Sequence, residues 1–375
     1  MSGGFPISRS EGSVSRQAHA DLPEGTYERE IGREGFFGPA AHFFHRHAPT
    51  GWTRFEGPLR PHAYDTTRLE ATSASPWQAS ELFFNEQLRY RMWRTTSSMP
   101  DLVRNADGDE LLFVHSGTAD LYCDYGHLRL RDGDYLVLPR GTMWRLEILE
   151  APMEVLMVEA TGSEYSLADR GMLGAHALFD PAVLDVPVMD EAFRAQQDEC
   201  EWTVEVKSRQ EITRITYPFN PLDAVGWKGD LAPVRLNWRD IRPVSAERYH
   251  LPPSAHTTFV AEEFVICTFC PRPLEQDPGA LRLPFYHSNE DYDEVLFYHA
   301  GDFMSRDDIS AGAVTWHPAG FPHGPHPNAL RTAMKGTRSH TDEVAVMLDS
   351  RRPLDAGAAA SEIESSDYVD SWRTS

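Results

Sequence analysis

The sequence predicts a mainly β protein built from two double-stranded β-helix (jelly-roll) barrels behind a loop-rich N-terminal arm. Short β-prone runs separated by turn residues recur from Leu111 onward, and a second β-rich region extends from Trp202 to about Leu348. One glycine- and proline-marked pattern also occurs twice, once in each region. Glycine and proline fix turns, so a repeated turn pattern indicates a repeated barrel.

The predicted domains follow in chain order. Residues 1–80 are rich in Gly, Pro, His and Ser with little periodicity, which favours an extended arm. Residues 81–200 contain the first barrel and residues 201–350 the second. Residues 351–375 have an excess of Ala, Ser, Asp and Glu and are expected to form a peripheral tail.

Composition excludes several classes of protein. The formal net charge is −22 over 375 residues, which disfavours nucleic acid as a partner because phosphates select basic surfaces. We find no apolar stretch of the roughly 18 residues that a membrane helix needs, so no membrane partner is expected. The first residues lack the basic start and apolar core of a signal peptide, and we expect a cytoplasmic protein.

The four cysteines fit a reducing compartment. Cys267 and Cys270 form a C-x-x-C pair within an apolar, β-prone run. The chain offers no second such pair to complete a zinc site, and residues three apart on a strand point to opposite faces. These two cysteines are therefore predicted to be buried thiols.

The second half carries two linked motifs. His287 is followed by Glu294, and six residues separate Glu294 from Gly301. A second run begins at Gly312 and continues through Pro318 and Gly320 to His323 in the pattern G-x(5)-P-x-G-x(2)-H. Both patterns are those of cupins, small jelly-roll barrels that bind metals. The one departure is Asn289, which stands where a second histidine is usual.

The first half repeats the turns without the ligands. Six residues separate Glu110 from Gly117, and a second run starts at Gly133 and ends at Trp144. Trp144 occupies the position of the histidine. The sequence therefore predicts two barrels and one metal site, with Trp144 filling the first barrel.

Two neutral imidazoles and one carboxylate form the facial triad of non-haem iron(II) oxygenases. We predict that His287, Glu294 and His323 hold the metal, with His287 and Glu294 on adjacent strands of one hairpin. Asp293 and Glu290 lie close to Glu294 in sequence, although Asp293 should point to the opposite face of a regular strand. Asn289 leaves three ligands and so opens a coordination position.

Several segments together resemble the homogentisate 1,2-dioxygenase family, in the form of a short bacterial-type member. They are residues 105–109, 218–230, 249–254, 287–294 and 317–325. The resemblance implies Fe(II)-dependent ring cleavage of homogentisate by O2 to give maleylacetoacetate, a step in tyrosine and phenylalanine breakdown. It also implies a small aromatic hydroquinone acid as substrate and a homo-oligomeric assembly.

The resemblance also implies roles for individual residues. His250 would be the base that removes a proton from a substrate hydroxyl, with His256 as the competing candidate. His317 and His323 would contact the substrate, and His317 could hydrogen-bond the substrate or O2. Phe303 stands where the family has a substrate-contacting tyrosine, which puts the exact hydroquinone in question.

Other functions stay open at this point. A related bicupin dioxygenase could cleave gentisate or another substituted hydroquinone, and the sequence does not choose between iron and manganese. A bicupin that binds or stores metal without turnover is a candidate of another class, and a cupin isomerase is a weaker one. The role of His326, which could equally be a surface residue, is also open.

Overall fold

The computed structural model describes residues 9–282, 285–303, 305–306, 309–334 and 338–373. Its three α-helices are short: α1 (Glu191–Ala195), α2 (Pro327–Met334) and α3 (Ala358–Ile363). The first fourteen strands are β1 (Tyr27–Gly32), β2 (Ala40–His45), β3 (His62–Asp65), β4 (Ser80–Phe84), β5 (Leu88–Thr95), β6 (Leu102–Asn105), β7 (Gly108–Cys123), β8 (Gly126–Leu130), β9 (Asp134–Leu138), β10 (Met143–Thr161), β11 (Ser166–Leu167), β12 (Trp202–Ser208), β13 (Glu211–Tyr217) and β14 (Val234–Asn237). The remaining strands are β15 (Thr257–Val260), β16 (Phe264–Phe269), β17 (Arg272–Pro273), β18 (Tyr286–Asn289), β19 (Asp293–Ala300), β20 (Ala313–His317), β21 (His340–Thr341), β22 (Val344–Ser350) and β23 (Asp355–Ala356).

The chain divides into two compact units. Unit A comprises residues 67–241 and 354–363, and unit B comprises residues up to 66, residues 242–353 and residues from 364 onward. The boundary between the barrels therefore lies at Ile241 rather than at the predicted residue 200. Residues 202–217 belong to unit A because β12 pairs in parallel with β6 of that unit, and β13 in turn pairs with β12.

Unit A is built on two long strands, β7 and β10, which pair antiparallel with each other. β10 also pairs antiparallel with β5. β9 is buried along its whole length, as its apolar sequence requires. Trp144 on β10 is 1% exposed and packs edge-to-face against Trp93, with ring centroids 6.5 Å apart. The core of this barrel is therefore apolar where the second-motif histidine would lie.

Unit B contains two main sheets. One has the strand order β18-β1-β2, and the other includes β15-β16-β22-β19-β20-β3. β22 is buried throughout, so it forms the middle of its sheet between β16 and β19. The mainly β, double jelly-roll fold predicted from the sequence is confirmed.

Residues 9–80 and 351–373 are more ordered than the sequence predicts. The N-terminal arm supplies β1, β2 and β3, of which β1 pairs with β18 and β3 pairs with β20. The C-terminal tail places Tyr368 and Trp372 in the interior of unit B, at 6% and 2% exposure. The low periodicity of these segments gave no sign of their strands and buried residues, because each segment contributes only a few residues to a core built by the rest of the chain. None of the described helices has the length and apolarity needed to cross a membrane.

Gly301 shows why the turn residues of the motif are needed. It follows β19 with φ at 89°, a conformation that L side chains rarely adopt. A Cβ at this position would lie 2.2 Å from the carbonyl oxygen of Asp342. Glycine at 301 therefore lets the chain leave β19, the strand that carries Glu294.

Candidate metal centre

The three predicted ligands come together inside unit B. His287 lies on β18 and Glu294 on β19, and His323 lies in the loop after β20. The backbones of His287 and His323 form an antiparallel bridge, each N–H donating to the other's carbonyl oxygen at 2.9 Å. All three side chains are buried.

One detail of the predicted arrangement is wrong. His287 and Glu294 were expected on adjacent strands of one hairpin. Among the described residues, β18 pairs with β1, whereas β19 pairs with β20 and β22. The N-terminal strand β1 takes the place beside β18, and the motif spacing alone gives no sign of such a distant partner.

The imidazole rings of His287 and His323 are oriented by backbone carbonyls. Nδ1 of His287 donates to the carbonyl oxygen of Phe285 at 2.8 Å, and Nδ1 of His323 donates to that of Phe321 at 3.1 Å. These bonds place the ring proton on Nδ1 and leave a lone pair on Nε2. Metal-binding histidines commonly show this arrangement.

The two Nε2 atoms face Glu294. They lie 3.7 Å (His287) and 3.3 Å (His323) from its carboxylate oxygens, and both are buried without a hydrogen-bond partner. The three ligand atoms lie within 4.8 Å of one another, which suits coordination to one ion at about 2.0–2.2 Å from each. Unsatisfied buried nitrogens are costly, and a divalent metal ion would satisfy both. The donor set therefore fits a metal.

Glu294 is ionised in this setting. Burial opposes its charge, but the close approach of His323 and of the other surrounding imidazoles holds the pKa of Glu294 well below its usual range. Asp349 lies directly across from it on β22. Burial and the charge of Glu294 raise the pKa of Asp349 well above normal, so this second acid stays neutral.

His317 holds the carboxylate of Glu294 in place. Its Nδ1 donates to Oε1 of Glu294 at 3.0 Å, and its Nε2 lies 3.2 Å from the hydroxyl of Tyr368. Burial, reinforced by the nearby imidazole of His323, lowers the pKa of His317 well below its ordinary value, so the ring is neutral and Nε2 accepts from the tyrosine. Both ring nitrogens of His317 are thus hydrogen-bonded within the protein, so in this structure neither is free for the predicted contact with substrate or O2.

The neighbouring polar residues have other partners. Asp293 accepts a hydrogen bond from the backbone N–H of Ala319 at 2.8 Å, and Glu290 accepts one from the Ser288 hydroxyl at 2.6 Å. The side-chain oxygen of Asn289 lies 3.3 Å from the backbone nitrogen of Asp291. Glu294 is therefore the carboxylate that faces the histidines.

A cavity opens beside this cluster. His287 and Glu294 form part of its wall, together with His250, Leu251, Pro253, Phe269, Arg272, Phe285, Leu296, Tyr298, Phe303, Ser305, Arg306, Glu343, Ala345 and Met347. The wall is largely apolar with a few polar groups, as small-molecule sites commonly are. Phe303 lies in this wall and packs edge-to-face on Tyr298, with ring centroids 4.6 Å apart.

The candidate base His250 lines the cavity and is paired. Its Nδ1 lies 2.9 Å from Oε1 of Glu275. The competing candidate His256 is buried with its Nδ1 unpartnered, and burial, reinforced by the charge of Arg272, lowers its pKa to about 3. His326 is fully buried against Trp372, so it is not the surface residue that the sequence allowed.

Sequence reasoning missed Arg306, Tyr368 and Asp349. Arg306 is enclosed in the cavity wall, where its Nε has no hydrogen-bond partner. An arginine three residues after Phe303 gives only a weak signal, because arginines are usually exposed. Tyr368 lies in the segment predicted to be peripheral. Asp349 is the last residue but one of an apolar strand, where a solvent-facing acid is the ordinary expectation.

No disulfide joins the described cysteines, and Cys267 and Cys270 are both buried. Burial raises the pKa of both thiols. The prediction of buried thiols agrees with this environment.

The fold and this cluster together define a double cupin with a candidate metal centre of two histidines and a glutamate in unit B. Family models described as the N-terminal and C-terminal parts of homogentisate 1,2-dioxygenase match residues 75–238 and 249–375. The chain belongs to the homogentisate 1,2-dioxygenase family.

Individual relatives agree with this membership. A Saccharolobus solfataricus protein whose dioxygenase assignment is provisional is 30% identical, over 97% of this chain and 98% of that protein. Homogentisate 1,2-dioxygenase of Bradyrhizobium diazoefficiens is 29% identical over 74% of this chain. That match covers 64% of the Bradyrhizobium enzyme, so the chain spans less than two thirds of its length.

Solved structures with similar architecture are more distant. A mutant of Bacillus subtilis oxalate decarboxylase aligns over 82% of this chain and 81% of its own, with 13% identity and a TM-score of 0.35. A cupin barrel protein from Leptotrichia buccalis aligns over 77% of this chain and 96% of its own, with 7% identity and a TM-score of 0.32.

Proposed function

We propose that this protein is an Fe(II)-dependent dioxygenase that cleaves the ring of homogentisate with O2 to give maleylacetoacetate. One observation carries the proposal: His287 and His323 present unpartnered Nε2 atoms to Glu294 at the wall of a cavity that also holds His250 and Arg306. Membership of the family supports the reaction class. Bound at this triad, Fe(II) would supply open positions for a substrate hydroxyl and O2 and the electrons that couple them.

His250 is the group proposed to accept the proton of the substrate hydroxyl. Its Nδ1–H donates to the carboxylate of Glu275, which leaves Nε2 as the basic atom. A carboxylate on the far side of an imidazole fixes the tautomer and stabilises the imidazolium that forms on proton transfer. Removing the hydroxyl proton raises electron density on the ring, as oxidative cleavage requires.

Arg306 is proposed to bind the acidic side chain of the substrate. The guanidinium lines the cavity, and NH1 donates to the carbonyl oxygens of Ser305 (3.2 Å) and Gly324 (2.9 Å) while Nε is unpartnered. Within the described part of the chain, no carboxylate lies within 4.0 Å of it. By contrast Arg272, also in the wall, is paired with Glu343 at 3.1 Å. Arginine pairs well with carboxylates, so a buried arginine whose Nε has no hydrogen-bond partner favours an acidic ligand.

A gentisate-type substrate is the second candidate. Phe303 contributes no hydroxyl to the cavity wall, so one polar contact to the substrate is missing there and a related hydroquinone stays a candidate. Gentisate carries its carboxylate directly on the ring, whereas homogentisate has a methylene between them. The two substrates therefore place the carboxylate at different distances from the metal.

The deciding experiment is O2 uptake by protein loaded anaerobically with Fe(II), with homogentisate and gentisate supplied in parallel. We expect rapid uptake with homogentisate and formation of maleylacetoacetate. Uptake with gentisate alone would show that gentisate, not homogentisate, is the substrate. If one iron is bound per chain and neither compound causes O2 uptake, a metal-binding protein without ring-cleavage activity would be supported. A Mn(II)-loaded sample tests the alternative metal, and Fe(II)-treated His323→Ala protein provides the blank.

A further inference from the structure

Unit B contains a second group of histidines and glutamates near the start of the chain. Glu28 and Glu30 lie two residues apart on β1, so they point to the same face of the strand. Glu30 is directly opposite His42 on β2, and His19 joins them from the segment before β1. His19, Glu28 and Glu30 are buried at 4%, 2% and 7% exposure, while His42 is partly buried.

Glu28 orients both imidazoles. Its Oε2 accepts from Nδ1 of His19 at 3.0 Å, and its Oε1 accepts from Nδ1 of His42 at 2.9 Å. The backbone N–H of His19 adds contacts at 3.1 and 3.3 Å to the same carboxylate. Because Glu28 is saturated with donors and occupies both Nδ1 atoms, the two Nε2 atoms are turned away from it.

Glu30 faces those two Nε2 atoms. Its Oε2 lies 3.3 Å from Nε2 of His19, and its Oε1 lies 3.9 Å from Nε2 of His42. The side chain of Glu30 is 9% exposed, and its Oε2 is buried without a hydrogen-bond partner. The ligand atoms of His19, Glu30 and His42 all lie within 4.8 Å of one another.

An ion-pair network without a metal is the simpler interpretation, and the distances argue against it. Charge-assisted hydrogen bonds between imidazolium and carboxylate normally close to about 2.7–2.9 Å. The contacts to Glu28 are near that length, whereas those to Glu30 are longer and leave one oxygen without a hydrogen bond. The gap lies between Glu30 and the two Nε2 atoms, where an ion would contact all three side chains.

We propose that His19, Glu30 and His42 bind a divalent transition-metal ion, with Glu28 as the carboxylate that fixes both imidazoles. Two imidazole nitrogens and one carboxylate oxygen suit Zn²⁺, with water as a fourth ligand. A carboxylate behind each ligating histidine is a common feature of zinc sites. The ion joins the segment before β1 to the β1–β2 hairpin, and this site does not depend on the proposed ring-cleavage function.

The second site is one strand away from the first. Glu30 on β1 is the register partner of His287 on β18, and the ring of Phe285 stacks on His19 at 3.7 Å while it contacts His287 at 5.3 Å. Since β1 runs parallel to β18, the partnered side chains point to the same face of the sheet. Any measurement of metal content must therefore separate the two sites.

Zn²⁺ is the probe, and the starting protein is the full-length His323→Ala variant, in which the first site is disabled. We expect this variant to retain one tightly bound Zn²⁺ per chain, measured by plasma mass spectrometry after desalting and by calorimetric titration. Adding Glu30→Gln should remove that ion. Adding Glu28→Gln should weaken Zn²⁺ binding by about 10–100-fold, since it acts through the ligands.

The controls make the result decisive. His47→Ala, an exposed histidine just beyond β2, should leave Zn²⁺ binding unchanged. If Glu30→Gln fails to fold by circular dichroism, His42→Ala replaces it, because His42 is partly exposed on the hairpin. A His323→Ala protein that binds no Zn²⁺, or a folded Glu30→Gln or His42→Ala protein that binds Zn²⁺ as tightly as its parent, would overturn the proposal.

Discussion

Nδ1 of His317 lies 3.0 Å from Oε1 of Glu294, so a histidine that is not one of the three predicted ligands fixes the orientation of the carboxylate ligand. The other ring nitrogen of His317 meets the hydroxyl of Tyr368. A chain of hydrogen bonds thus runs from the C-terminal segment through β20 to the candidate metal centre. Such outer contacts tune metal affinity by holding a ligand in its binding geometry.

His317→Ala is predicted to weaken Fe(II) affinity by about 10–100-fold. Without the imidazole the carboxylate of Glu294 can rotate away from the two Nε2 atoms. Titration of Fe(II) against a competing chelator measures the effect, and Tyr368→Phe should give a smaller change in the same direction. Unchanged affinity with a fall in kcat alone would instead support the predicted contact of His317 with substrate or O2.

His323→Ala is predicted to reduce the iron bound at the candidate centre to near zero while leaving the β fold intact. The substitution removes one of three ligands, and the remaining His287 and Glu294 are too few to hold Fe(II) tightly. Iron content after anaerobic loading and desalting provides the check, measured in protein that also carries Glu30→Gln so that only this centre is counted, together with far-ultraviolet circular dichroism. The exposed His340→Ala is the matched control and should load normally. Stoichiometric iron in His323→Ala at this centre would show that the triad is assigned incorrectly.

His250→Asn is predicted to lower kcat by roughly 10²–10⁴-fold, the usual contribution of a positioned general base. Iron content should not change, because His250 lies in the cavity wall rather than among the ligands. Glu275→Gln should have a smaller effect, since it leaves the imidazole but alters the group behind it. Steady-state O2 uptake measures both variants. If His250→Asn turns over normally, the proton must be accepted elsewhere.

Trp144→Ala is predicted to destabilise the protein by roughly 3–5 kcal/mol without affecting iron content. The indole is 1% exposed and packs against Trp93 in the core of unit A, where alanine would leave a cavity. Urea denaturation followed by circular dichroism gives the change in the free energy of unfolding. Trp144→Phe retains most of the volume and should cost less. A wild-type transition midpoint for Trp144→Ala would contradict the packing role.

The sequence predicts that His287, Glu294 and His323 lie together, and they do, because cupin motifs are local. Glycines and prolines at fixed spacing set the turns of the barrel, so the spacing of His287, Glu294 and His323 places all three at one point. The absence of a histidine at Trp144 likewise predicts an apolar first barrel.

Contacts between segments far apart in the chain are harder to predict from the sequence. Nothing in the composition of residues 27–32 indicates that β1 pairs with β18, and nothing near Tyr368 indicates a hydrogen bond to His317. Such partners are chosen by the assembled core rather than by local propensity. The same limit explains why Arg306 was missed, because its burial becomes evident only in the folded structure.

Glu110 is a buried carboxyl group in the first barrel. Its side chain is 2% exposed, and one carboxylate oxygen has no hydrogen-bond partner. Burial, together with the charge of Glu159, raises the pKa of Glu110 to about 7 from its ordinary 4.5. The folded state therefore holds this proton at pH values where the unfolded state has released it, and stability falls as pH rises from about 4.5 to 7.

Glu110→Gln is predicted to remove this loss, because glutamine resembles the protonated acid and does not titrate. Relative to wild type, the variant should gain up to about 3 kcal/mol of unfolding free energy at pH 8 compared with pH 4.5. Urea denaturation of both proteins at the two pH values isolates the effect, since all other titrations cancel in the double difference. The exposed Glu164→Gln should show no such change. An equal difference at both pH values would mean that Glu110 ionises in the folded state as readily as in water.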